Sequence, residues 1–341
     1  MPIPAVLGTP RQLIFASVSF ALGLWAFIKV NEISGPAFEP IIAACTDSSI
    51  AVEDFAAKTG YHVYEPRVGL VAFNVLVCLI TQFLYELRNT PPDGAVVWFG
   101  VVVAALPFSV MATIEAGRGG VKGLVKYPII GGLLYQVFGI SVMMPMVWLP
   151  FLIYGGGKGA VSTTRAIAAA PMSVPGIILS AIVFYADKEG ALWTTCAGIL
   201  GGPGLVLSAA FLWGDKNPSD SKDNITKGCI AASKAYMATV PVGLIAWGFF
   251  LKTFATHYGF SIFTLWDKIW TNANASVGFM TIDTIVLWMG VCLYIAYRDM
   301  NAAVKAVALT PLMGPGASCS LVLAGIESSA AAEASKSVKS E

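Results

Sequence analysis

Charge is what this chain has least of. Only 12% of its 341 residues are Asp, Glu, Lys or Arg, against 56% hydrophobic, and the mean hydropathy is +0.73. A soluble domain carries about twice that share of charge, so the composition is that of a polytopic membrane protein. The net charge of +1 offers nothing to nucleic acid or to a strongly acidic partner. Histidine is almost missing, and His62 and His257 are too few for a histidine-rich metal or haem site. The six cysteines show no C-x-x-C spacing and no disulfide framework; Cys45 alone is placed in a loop, the others in or beside apolar spans. A dinucleotide fingerprint and an acid-rich Mg-binding motif of the D-D-x-x-D kind are both absent, which sets aside hydride transfer and diphosphate ionisation. The GGPG piece follows no strand and precedes no Lys-Ser/Thr pair, so it reads as a kink or a close helix contact, not a phosphate loop.

What is present is a series of apolar runs. They predict an all-α, polytopic transmembrane helical bundle of about eight or nine spans. The runs are 12–30, 68–85, 95–116, 127–154, 166–186, 191–213, 229–251, 276–297 and a weaker one at 304–326. A single bundle over 1–326 is expected, followed by a small, polar, disordered tail at 327–341. The N-terminus, MPIPAVLGTPRQ, has neither a basic n-region nor a clear cleavage site, so the first span is expected to stay in the mature chain. The long connection 31–67 reads as a solvated linker, with a lid as the alternative. Pro145 should kink the fourth span and free a carbonyl. No internal repeat is visible.

The eighth run, SVGFMTIDTIVLWMGVCLYIAY, carries one carboxylate, Asp283, roughly 10 Å below one membrane surface at 1.5 Å per residue. An ionisable group at that depth costs on the order of 3 kcal/mol on insertion scales, which makes function its default reading. The bland alternative is an aspartate that pairs with a neighbouring helix or caps a broken one. A second acid, Glu115, ends the third span, where it is wet, paired with Arg118 or turned inward. Counting alternate crossings places Glu115 and Asp283 near the same membrane face, with Glu32, Asn74 and Trp25 around a pocket mouth. Gln136, a buried amide in the fourth span, and Trp288 complete the candidate substrate-binding set. The excess of Arg and Lys on the side of the N-terminus predicts a cytosolic N-terminus and acids near the lumenal face.

Two carboxylates in an apolar, aromatic-rich cavity suit acid-initiated chemistry on a lipophilic substrate. One acid donates to an epoxide oxygen or an alkene, the other orients it or accepts the final proton, and aromatic faces stabilise a cation. The stretches LLYQVFGISVMMPMVWLPFLIYG and FMTIDTIVLWMGVCLYIAYRDM resemble the membrane-bound terpene cyclases of fungal meroterpenoid pathways, in the branch of the ascochlorin and ascofuranone cyclases. The resemblance spreads from the second span to the ninth. It implies a farnesylated aromatic substrate, often with a terminal epoxide, no metal or redox cofactor, and an essential acid at Glu115 or Asp283. It also implies an endoplasmic-reticulum membrane, with lipid and pathway enzymes as neighbours. Two other readings stand beside it: a transporter or exporter of a hydrophobic metabolite with Asp283 as its proton-coupling group, and a scaffold in which Asp283 pairs with Asn74.

Overall fold

A computed structural model describes residues 8–47, 49–51, 53–61, 71–157, 159–186 and 220–339. Among them the fold is all-α, with no strand beyond an isolated bridge between Arg118 and Val161. The helices are α1 (Pro10–Thr46), α2 (Phe55–Thr59), α3 (Val71–Arg88), α4 (Asp93–Ala116) and α5 (Pro128–Phe138). They continue as α6 (Ile140–Gly155), α7 (Thr163–Ala186), α8 (Lys222–Tyr258), α9 (Ile262–Trp266), α10 (Ala275–Arg298) and α11 (Met300–Lys339). Helix is what such apolar sequence must form, because lipid offers backbone groups no hydrogen-bond partners of its own. Local signals set several starts: Thr9 and Gln12 make a capping box for α1, and Ser221, Ser261 and Asn274 cap α8, α9 and α10.

Among the described residues five helices, α1, α4, α8, α10 and α11, are long and apolar enough to cross a bilayer. The chain is an integral membrane protein with fewer candidate spans than the eight or nine expected. One reason is the fourth run, which goes in and comes back. The Lys122 N–H donates to the Gly155 carbonyl at 2.8 Å, and Gly119 pairs with Ala160 and Gly159. A straight crossing over 128–155 would part those ends by about 40 Å. The reversal falls at Gly139, whose φ of 82° and ψ of 143° suit glycine alone. From there α6 returns through a π-helical turn at Met144–Trp148, which contains Pro145. The Ser19 hydroxyl donates to the Pro145 carbonyl, and Gly23 lets α1 lie close on Met146.

A second reversal divides α11 at Gly314 (φ 78°, ψ 164°). Glu327 lies 3.0 Å from Arg298, although a straight helix from Met300 would carry it about 40 Å away. Thr310 and Ser318, on the two arms, touch at 3.1 Å. Both arms pack on α8, through Trp247 to Pro311 and through Thr239 to Ser320. Composition does not reveal these turns, because an apolar run that doubles back has the composition of one that crosses.

Removing one crossing reverses the relation between α4 and α10. They run parallel: Asn274 bonds Thr90 at one end, Gly100 meets Thr284 further along, and Tyr294 bonds Glu115 at the other. The main core lies between them and α6, around Met111, Ile114, Trp148, Leu149, Leu287, Val291 and Tyr294.

Three further expectations are corrected. The first helix does not stop near residue 30 but continues to Thr46, past Pro36 and Pro40, because Phe38, Ile41 and Cys45 keep finding apolar neighbours. Cys45 is therefore helical, and it forms a disulfide with Cys78 of α3. The stretch after residue 326, expected to be disordered, continues α11 to Lys339 and buries Glu327. The expected sixth span, 191–213, lies outside the described residues.

Candidate functional site

A cavity of about 630 Å³ opens between α1, α3, α4, α5, α6 and α10, with Ser173 of α7 also in its lining. Its walls are mainly apolar and aromatic. Phe83 meets Phe279 edge-on at 5.4 Å, and Phe108 stands edge-on to Trp148 at 5.3 Å and to Tyr135 at 5.5 Å. A volume of this size with few polar groups is that of a site for a drug-sized lipophilic molecule. Among the described residues its acids are Asp283, which is buried, and Glu39, which is exposed on the later part of α1.

Asp283 is held by the re-entrant turn. Its Oδ1 accepts the Ser141 backbone N–H at 3.1 Å. Ser141 is the second residue of α6, so its N–H is one of the donors that a helix start leaves without an intrahelical partner. The positive end of the α6 dipole adds to the attraction for the carboxylate. Gly139 completes the fit, since a Cβ placed there would lie 3.3 Å from Phe279 and 3.7 Å from Asp283. The aspartate thus caps a broken helix, as the bland reading foresaw, and the same side chain forms part of the cavity wall.

Glu115 has a different environment. Its carboxylate takes two hydrogen bonds from Arg118, at 2.8 and 2.9 Å, and one from the Tyr294 hydroxyl at 2.7 Å. Arg118 also reaches Glu327 at 2.7 Å, and Arg298 bonds both Glu327 and the Tyr294 oxygen. Burial alone would lower the Arg118 pKa, but Glu115 and Glu327 more than offset it and hold it above the ordinary guanidinium value. Two carboxylates and two guanidinium groups balance one another and tie α4, α10 and α11 together. Of the three settings open to Glu115, two are found together: it is turned inward and paired with Arg118.

The shared pocket of Glu115 and Asp283 is not found. Tyr294, the partner of Glu115, stands about three turns and ~16 Å along α10 from Asp283. The re-entrant α5–α6 hairpin is the cause, because it removes the crossing on which the common face depended. Four of the five proposed substrate-binding residues, Trp25, Glu32, Asn74 and Trp288, also lie outside the cavity lining. Trp25 is 39% exposed and stacks on Trp270, Glu32 pairs with Lys29 on the surface, and Trp288 packs against the main core with its Nε1 unpartnered among the described residues. Asn74 lies on α3 outside the lining, and the Gln136 side chain lies outside the described ones. Trp25, Glu32, Asn74 and Trp288 sit on helices that border the cavity but at positions outside its lining. Helices that are apolar nearly all round leave the sequence no stripe from which to read the inward face.

The lining residues Trp98, Phe108, Tyr135, Trp148 and Phe279 do not belong to the set expected from sequence. One signal for them was the length of the 127–154 run, longer than a crossing needs, with Gly139 near its middle. No family model, curated protein or solved structure matches this chain.

Proposed function

We propose that this protein is a membrane-bound, acid-initiated terpene cyclase acting on a farnesylated aromatic with a terminal epoxide. The observation that carries the reading is a buried carboxylate, Asp283, in the wall of an apolar, aromatic-lined cavity. Asp283 as a carboxylic acid delivers its proton to the epoxide oxygen, and the C–O bond opens to a tertiary cation. The cation is attacked by the remaining alkenes of the substrate's farnesyl tail while aromatic faces such as Phe279 and Trp148 stabilise it. A final proton loss from the cyclised cation, returned to the Asp283 carboxylate directly or through water, restores the acid, so the product is an isomer of the substrate. Glu115, closed into its ion network, braces the bundle in this reading and does not donate. The resemblance of 133–155 and 279–300 to meroterpenoid cyclases supports the same assignment.

The Cys45–Cys78 disulfide supports the orientation, since such bonds persist in an oxidising lumen. It lies toward the α10 N-terminus, opposite Arg11, Arg118 and Arg298, which fits a cytosolic N-terminus and an endoplasmic-reticulum membrane. One observation favours a second reading. A buried acid at the start of a discontinuous helix is the arrangement of proton-coupled transporters, here for a hydrophobic metabolite.

Microsomes containing this chain alone, given an epoxyfarnesyl phenol, separate the two. A product isomeric with the substrate, formed equally with EDTA and without added nicotinamide or flavin, is the expected result. Saturable uptake with no isomer formed would favour the transporter.

A further inference from the structure

The cavity opens to the outer surface of the bundle. Phe27 on α1 and Phe138 at the end of α5 both line it, yet they are 46% and 53% exposed. The opening continues along α1 at one-turn intervals, through Asn31, Gly35 and Glu39, all exposed and all lining. One face of α1 therefore borders a slot that is apolar at Phe27 and polar at Asn31 and Glu39. A different face of α1 packs on α3, α6 and α10, and its remaining surface is exposed. Gly35 stands in the slot with open space before it: a Cβ there would meet nothing within 4 Å.

The slot has the polarity of an amphiphile lying in a membrane. Asn31 and Glu39 offer hydrogen bonds to a polar head, and the apolar interior offers room to a tail that reaches toward Asp283. We infer that this slot is a side door, through which a membrane-dissolved amphiphile passes directly from lipid into the cavity. Its head stays at Asn31 and Glu39, and the far end of its tail meets Asp283. The inference rests on the proposal that the cavity is a ligand site, and it adds the route, the orientation and the class of ligand. A head-out pose also places the terminal epoxide, at the tail's end, beside the acid.

The test uses the whole protein in nanodiscs and a tritiated farnesyl phenol without the epoxide, so that exchange is read apart from turnover. Gly35→Phe fills open space on a backbone that accepts a side chain, and Gly35→Ala controls for the loss of glycine. Gly35→Phe is expected to slow both association and dissociation about tenfold while changing Kd little, with Gly35→Ala unchanged. Phe138→Ala, which widens the slot, is expected to speed both. Wild-type exchange rates in Gly35→Phe and Phe138→Ala would overturn the side door. No binding to the wild type would overturn both it and the ligand-site reading. Slowed exchange in Gly35→Phe, with no isomer formed from the epoxide by the wild type, would keep the side door and reject the cyclase.

Discussion

At the scale of single residues, the two acids singled out from the sequence, Asp283 and Glu115, are distinguished by what already holds them. Asp283 accepts one backbone N–H and belongs to a cavity wall, whereas Glu115 is saturated by Arg118 and Tyr294. Their substitutions should fail in different ways. Asp283→Asn keeps the shape and hydrogen-bonding capacity of the side chain but cannot deliver a proton. Turnover per folded protein should fall about 100- to 10,000-fold with an unchanged size-exclusion profile. Glu115→Ala removes one partner of a buried charge network and should lower stability by about 3–5 kcal/mol. Its thermal transition in detergent should drop, while the surviving folded fraction turns over at nearly the wild-type rate. Near-normal turnover of Asp283→Asn would remove that residue from the mechanism.

At the scale of elements, the two reversals at Gly139 and Gly314 matter most. Each lets an apolar run return to the side it came from, and the first sets a helix start against Asp283 in the interior. The arrangement makes a plain topological prediction. Cysteines introduced at Lys126 and Tyr154, on the two limbs of the first hairpin, should react with a membrane-impermeant maleimide from one side. A cysteine at Lys268, between α9 and α10, should react from the other. Labelling of Lys126→Cys and Tyr154→Cys from opposite sides would restore a simple crossing, and with it the common face for Glu115 and Asp283.

For the molecule as a whole, the bundle is fastened at opposite ends by different chemistry. The ion network of Glu115, Arg118, Arg298 and Glu327 closes one end. Toward the other, the Cys45–Cys78 bond joins α1 to α3, and Tyr258 bonds Asp93 between α8 and α4. The disulfide closes a loop of 33 residues, so its loss through Cys78→Ser should cost about 2–4 kcal/mol. In the unfolded but unreduced protein, Cys45 and Cys78 should take up iodoacetamide only after reduction, as peptide mass spectrometry reads. Alkylation of both without reductant would show the bond absent.

Composition alone determined that this is an all-α integral membrane protein, because so little charge and so much apolar length leave helices in lipid as the economical outcome. It also singled out Asp283, since a lone acid deep in an apolar run is costly enough to be noticed without any fold. The ends of α4 and α10 came out within a few residues of their apolar runs for the same reason. Which runs cross and which turn back was decided by tertiary structure, because hydropathy measures transfer into lipid and carries no direction. The same holds for the rotation of each helix, and so for Trp98 and Phe279 lining the cavity in place of Trp25 and Trp288. The partners of Glu115 likewise come from α10 and α11, far along the chain, where only packing brings Tyr294, Arg298 and Glu327 to one point.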